Sequence, residues 1–170
     1  FRLDVPFFVP MQLNRSPSKD GAERRPTKHD IRDCGEVENA IECYLKRAEM
    51  GQWQEEVYNS LLNAGRLMAN TNKSVEDTIA VMKRAIEMRP QRAEAMHDLA
   101  RFLRFHGRNE EAYEAGKQGI NLVPPPGALF VESWVYDFAI ADETAVAAYH
   151  SGHYKESADI CQRILRDNRF

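Results

Sequence analysis

A recurring turn constrains this chain more than any other feature. Gly107-Arg108-Asn109-Glu110-Glu111-Ala112 sets a glycine, a helix start and a small residue in fixed order. Gly35-Glu36-Val37-Glu38-Asn39-Ala40 and Gly152-His153-Tyr154-Lys155-Glu156-Ser157 repeat that order. Leu99 and Ala100 precede Ala112 by thirteen and twelve residues, and Pro124 follows it by twelve. Small and apolar residues at helical spacing, a turn glycine, a second helix and a proline stop thus fill one unit of about thirty-four residues. Such units stack, each burying its neighbour's apolar face. The small residues Ala40, Thr78, Ala112 and Ser157 lie 38, 34 and 45 residues apart, so the repeat is irregular.

Apolar residues at spacings of three and four predict seven helices. The first runs from about Glu36 to Met50, with Val37, Ala40, Ile41, Tyr44 and Ala48 on one stripe, and Gly51 ends it. The second spans about Gln54 to Ala69, with Val57, Leu61, Ala64 and Met68 inward. Ser74 opens the third as an N-cap, with Asp77 at the capping-box position, and Arg89-Pro90 closes it. The fourth spans about Arg92 to Phe105 and stops at Gly107. The fifth spans about Glu110 to Asn121 with Asn109 as its cap, and Pro124-Pro125-Pro126-Gly127 is a stiff break. The last two cover about Trp134 to His150 and Tyr154 to Arg166.

Residues 1–30 read differently from residues 31–170. Four of the chain's eight prolines fall there, at positions 6, 10, 17 and 26, which opposes a regular helix. The expectation is an irregular arm whose apolar Val5–Pro10 stretch packs on the helices or on another chain, followed by a polar loop from Asn14 to Lys28.

Composition narrows the function classes. A chain of 170 residues with 43% apolar and 29% charged residues can build a core. Its net charge of −3 opposes nucleic-acid binding, which needs a strong positive field. No apolar run reaches the about eighteen residues of a membrane span. The start is unlike a signal peptide and lacks an initiating Met, so the expectation is a fragment or a processed product. Three cysteines without Cys-x-x-Cys spacing point to a reduced, cytoplasmic setting.

The segment Arg92 to Pro124 resembles a tetratricopeptide repeat, with Leu99, Ala100, Gly107, Ala112, Gly119 and Pro124 at its small, apolar and terminating positions. Two residues depart from that pattern: Met96 stands where the family usually has Trp, and Gly119 replaces a small Ala. Ala40 to Ala48 resembles the second helix of such a unit, whose first helix is largely absent. The resemblance implies an all-α, right-handed superhelix of antiparallel helix pairs. More narrowly, Tyr44-Leu-Lys-Arg-Ala-Glu-Met-Gly51, Arg92-Ala-Glu-Ala95, Leu129-Phe-Val-Glu132, Val135-Tyr-Asp137 and Ala145-Val-Ala-Ala-Tyr149 look like the helical domain behind the catalytic domain of bacterial family-two glycosyltransferases. That implies an accessory domain. The catalytic part of those enzymes carries an Asp-x-Asp motif, and this chain has none.

Solenoids of this kind bind on the wall made by the first helix of each pair. By register that wall carries Asn59, Asn63 and Arg66 from the second helix, and His97, Arg101, Arg104 and Phe105 from the fourth. Amides and guanidinium groups there can hold a carboxylate or an extended backbone. The same residues also suit an ordinary solvated face.

Other constellations carry less. His150-Ser-Gly-His153 has His-x-x-His spacing, but Gly152 interrupts it and no third ligand is near in sequence. Cys43 and Cys161 fall on predicted core faces and read, with Cys34, as small buried hydrophobes. Phe130, Trp134, Tyr136, Phe138 and Tyr149 read as core and repeat-interface packing; a sugar platform would need Trp134 or Tyr136 exposed. No nucleophile elbow or phosphate loop is present. The sequence therefore predicts a non-catalytic scaffold for a protein or peptide partner, without cofactor or metal. The rival is a glycosyltransferase's accessory portion contacting a sugar acceptor. An uncapped first repeat adds homodimerisation as a further expectation.

Overall fold

The computed structural model describes residues 28–71 and 73–166, with side chains from residue 35 onward. Among the described residues there are seven α-helices, one π-helical turn and no strand. The helices are α1 (Lys28–Glu49), α2 (Gln54–Ala69), α3 (Val75–Met88), α4 (Glu94–Phe105), α5 (Asn109–Gly119), α6 (Ile140–His150) and α7 (Tyr154–Arg166). The π turn, Val135–Ala139, leads directly into α6.

Local chemistry sets the ends. Ser74 Oγ accepts from the Asp77 amide at 3.4 Å, as the capping pattern predicts. Acids occupy the first turns of α2 and α3, where the helix dipole favours them. α4 and α6 stop in the same way. Gly107 and Gly152 take φ of +72° and +86°, a left-handed conformation that a side chain would resist. The Arg108 amide then reaches the Leu103 carbonyl at 3.0 Å, and the His153 amide reaches the Ala148 carbonyl at 2.9 Å. The Gly107 and Gly152 amides add the inner bonds to Arg104 and Tyr149, at 3.0 and 3.1 Å, which completes a Schellman ending, so the glycine has one structural meaning at both places.

Hairpins α2–α3, α4–α5 and α6–α7 stack in sequence, with α3 on α4 and α5 on α6. α2 also touches α4, and α4 touches α6, so these three form one row. α1 packs on α2 from the side of the second helices, matching the resemblance of Ala40–Ala48 to a second helix. The arrangement is an all-α stack of antiparallel helix pairs.

Several boundaries differ from the sequence reading. Gly35 is not a turn: α1 begins at Lys28 and runs straight through it. α4 starts two residues later than expected, because Arg92 and Ala93 turn inward before it. Asn109 is the first residue of α5 rather than its cap, and Arg108 holds the cap position. Cys43 and Cys161 are exposed, not core. The Cys34 side chain, the expected arm with its Val5–Pro10 stretch, and the polar loop up to residue 27 lie outside the described residues.

The core runs through the stack as linked clusters. Ile41 and Ala48 of α1 meet Val57, Tyr58 and Leu61 of α2 and Val81 and Ala85 of α3. Ile79 and Met82 of α3, Leu99, Ala100 and Leu103 of α4, Ala112 and Tyr113 of α5, and Ala147 and Ala148 of α6 form a second cluster. Small residues let the backbones approach. A Cβ on Gly116 would collide with the Thr144 side chain of α6 and lie 3.3 Å from Thr144 Cα. A Cβ on Gly119 would lie 3.2 Å from both Ile140 and the Met96 sulfur. The two departures from the repeat pattern therefore fit each other: the long Met96 side chain fills the space that Gly119 leaves.

Gly116→Ala, Ala100→Leu and Ala112→Leu should each destabilise the fold by about 1–3 kcal/mol, through forced separation of closely packed helices. Urea unfolding followed by circular dichroism checks this; wild-type midpoints in all three would place these residues away from the contacts described.

Candidate binding wall

A buried polar network ties α2 to α4 and to the segment before α6. Arg92 and Glu94 are both 0% exposed. Arg92 Nε and Nη2 donate to Glu94 at 3.2 and 2.7 Å. Its Nη1 donates to Glu55 at 2.8 Å and to the Leu129 carbonyl at 2.8 Å, and Nη2 also reaches the Phe130 carbonyl at 3.4 Å. A guanidinium has five N–H donors, and these contacts engage all of them. Arg92 also lies over the Tyr58 ring, 4.4 Å from its centroid.

Glu94 is held from the other side. Tyr136 Oη donates to it at 2.8 Å and Tyr58 Oη at 3.2 Å, and those hydroxyls accept from the Ala93 and Ala95 amides at 3.2 Å. Glu55 pairs with Arg89 as well as Arg92 and accepts from the Leu129 amide at 3.2 Å. Two carboxylates thus face two guanidinium groups, and the buried charge balances. Burial raises the Tyr136 hydroxyl pKa to about 12, keeping it a proton donor. Burial alone would raise the Glu94 pKa, but Arg92 overcomes this and holds it below the usual value.

The row α2, α4 and α6 carries the predicted wall, and the structure gives Arg66, His97 and Arg104 partners within the chain. Arg66 donates to Asp98 of α4 at 2.5 Å and forks onto Glu132 at 2.5 and 3.0 Å. Arg104 pairs with Glu143 of α6. The Asp98 and Glu143 pairs each join one helix of the row to the next, and the Glu132 pair ties α2 to the connection before α6, so these cations act as rungs. His97 is buried: its Nδ1 lies 3.0 Å from Asp98 Oδ1, and its ring meets Trp134 edge-on at 5.2 Å. Asn59 Nδ2 donates to the Glu55 carbonyl at 2.9 Å. Asn63 is half-buried on the same stripe.

Phe105 differs from these. It is 66% exposed, with the guanidinium carbons of Arg104 and Arg101 at 4.6 and 5.7 Å from its ring centroid. The register thus brings Arg66, His97 and Arg104 into one connected wall, with Arg101 and Phe105 at its open edge. Glu132, Glu143, Asp98 and Trp134 belong to the same wall and were not read from the sequence. Acids at 98 and 143, 45 residues apart like the markers Ala112 and Ser157, were the available signal.

The aromatic group splits. Tyr136 is buried, Trp134 and Phe138 are half-buried, and Phe130 and Tyr149 are exposed, contrary to a uniform packing role. Phe130 also has φ of +52°, held by the Arg92 contacts on its own and the preceding carbonyl. His153 stacks on Tyr113 at 4.4 Å and faces Glu110, while His150 meets Tyr149. No group of three metal-ligating side chains occurs among the described residues, and no helix among them is long and apolar enough to cross a membrane.

No family model matches this chain, and no curated protein matches it. Nine chains of solved structures match. A crystal structure of MamA is among them, aligned over 85% of this chain and 96% of its own at 16% identity and a TM-score of 0.47.

Arg92→Met should cost about 3–5 kcal/mol, because it leaves buried carboxylates and carbonyls without their donor. Denaturant unfolding measures it, and a loss below 1 kcal/mol would mean the network is solvated. A second expectation concerns acid. Burial would raise the Asp98 pKa, but Arg66 and His97 lower it overall. With folded pKa values below the unfolded ones, Asp98 and Glu94 stabilise the fold above about pH 4 and lose that contribution as pH falls through the folded values. Melting temperature should therefore fall in acid, and less steeply in Asp98→Asn; equal slopes would contradict the assignment.

Proposed function

We propose that this chain is a non-catalytic scaffold that binds a protein or peptide segment along α2, α4 and α6. The observation that supports this reading is the exposed Phe105 flanked by Arg101 and Arg104, at the edge of a wall tied together by the ion pairs of Arg66 and Arg104. An exposed aromatic beside cations is the kind of group that anchors a protein interface. The paired rungs give that anchor a rigid base, which lowers the entropy lost on binding. An incoming carboxylate would compete with Glu132 for Arg66 and with Glu143 for Arg104. Aromatic and backbone contacts therefore carry more of the recognition than a carboxylate clamp would.

The glycosyltransferase-accessory reading has only the sequence strings behind it. The acidic groups nearest the wall, Asp98, Glu132 and Glu143, face arginines, which opposes their holding a metal-bound diphosphate.

The test is a peptide selected from a random display library on the immobilised protein, its affinity then measured by fluorescence anisotropy. Phe105→Ala and Arg101→Ala should each weaken it about tenfold, or about 1.4 kcal/mol. Selected peptides indifferent to both substitutions would move the site off this wall. Incubation with common nucleotide sugars and Mn²⁺ or Mg²⁺ should give no turnover; activity that follows the protein through purification would overturn the non-catalytic reading.

A further inference from the structure

The two backbone exceptions of this structure meet at one end of it. Among the described residues, only Gln52 and Phe130 hold a positive φ without being glycine, at +73° and +52°. A side chain resists that conformation. Gln52 leads into Trp53, which takes the N-cap of α2 and makes no side-chain capping bond there. Ser, Thr, Asp or Asn would suit that position better. Phe130 is fixed by bonds that do not involve its ring: Arg92 takes its carbonyl and that of Leu129, and the Leu129 amide donates to Glu55. Trp53 stands two residues before Glu55, so the two aromatics flank one buried carboxylate. Both are exposed, Trp53 by 53% and Phe130 by 79%. The fold thus sets two large rings in water at positions where small polar residues or glycine would be more stable. Local rules broken without a folding benefit mark a surface with another use.

The surroundings of the two rings are neutral. The helices alternate in direction, so the α1–α2, α3–α4 and α5–α6 connections share this end. Residues 50–54 and 120–131 contain no charged side chain, although 29% of the chain is charged. Met50 and Val123 are also strongly exposed in these runs, and Gln52 and Gln54 are exposed beside Trp53. Glu49, Arg84 and Glu87 border the face on the α1–α3 side, away from Phe130. Arg89 is tied to Glu55, and Arg163 to Asn121. Depletion of charge around exposed Trp, Phe and Met is the make-up of an interface core.

This end is not open because the chain stops. Further helix pairs would stack beside α6 and α7 and lengthen the row, leaving its connections uncovered. The segment before Lys28 leaves the other end of α1, about 33 Å away for a helix of 22 residues. The chemistry of the face is its own complement. Apolar groups pack on apolar groups, and a glutamine amide both donates and accepts. For a chain of net charge −3, a neutral face lets two copies meet without like charges in contact. Its centre offers no Lys or Arg to an anionic lipid surface, and no charge pattern that would select a different protein.

We propose that this end face is an isologous interface: it pairs with the same face of a second copy, with Phe130 and Trp53 packed across the two-fold axis. Phe105 lies at the opposite end of α4, so this interface and the peptide wall can fail separately.

The test is sedimentation equilibrium of the full chain over a concentration series, with Phe130→Asn and Trp53→Ser as variants. Asparagine tolerates the positive φ and serine is a favoured N-cap, so both variants should keep or raise the melting temperature. The wild type should pass from monomer to dimer as concentration rises. Each substitution should raise the dimer dissociation constant about tenfold or more, and Phe105→Ala should leave it unchanged. A wild-type monomer at every concentration up to about 1 mM would overturn the proposal, as would dimers indifferent to both substitutions. So would a clear fall in melting temperature for the two variants in a monomeric protein, which would mean that the chain itself covers the rings. Co-sedimentation of the wild type, but not of the variants, with phosphatidylcholine vesicles would name a lipid surface instead.

Discussion

Arg92 holds this structure together at the point where a helical stack is most exposed to error. The first-row helices must be fixed relative to one another, and the long connection between α5 and α6 must be placed. One guanidinium does both: it takes Glu55 from α2, Glu94 from α4 and two carbonyls from the connection. Buried ion pairs do not reliably add stability, since desolvation offsets attraction. Their consequence here is geometric. With every donor used and charge balanced, few other placements of residues 129–132 satisfy the same groups. Glu132 is thereby brought to Arg66, and the ladder of ion pairs along the wall follows.

The second constraint is backbone approach. Hydrogen bonds and ion pairs set direction, while the small residues set distance. Gly116 and Gly119 let α6 lie close against α5, and Met96 takes up the space beside Gly119. The pairing explains how a repeat with two unusual residues remains well packed.

Much of the architecture was legible in the sequence for local reasons. α2 and α7 begin and end where apolar spacing, glycine turns and caps place them, because those signals act within a few residues. Ala100 and Ala112 were legible as contact positions because small residues recur at the repeat spacing, and both are fully buried. Gly35 misled because a glycine inside a helix looks, in one dimension, like a glycine that ends one. Cys161 misled because its wheel position is buried only where another helix packs on it, as α6 packs on Gly116. The network around Arg92 was invisible for a different reason: Glu55, Arg92 and Tyr136 are 37 and 44 residues apart, and each alone reads as a solvated or packing residue. Register put Arg66 and Arg104 on adjacent helices of one row, as the ion pairs across that row require. Its charges were misjudged, because their partners come from neighbouring repeats.

The central claim is that the connection before α6 is locked to the core and completes the wall. Amide hydrogen exchange in the native protein tests it residue by residue. The Leu129 and Glu132 amides donate to Glu55 and Glu94, at 3.2 and 3.3 Å, although neither lies in a helix. They should exchange slowly, with protection comparable to the core amides of α4, while exposed Gly127 in the same connection exchanges fast. Leu129 and Glu132 exchanging as fast as Gly127 would show that the connection is not held, and the wall built on it would not stand.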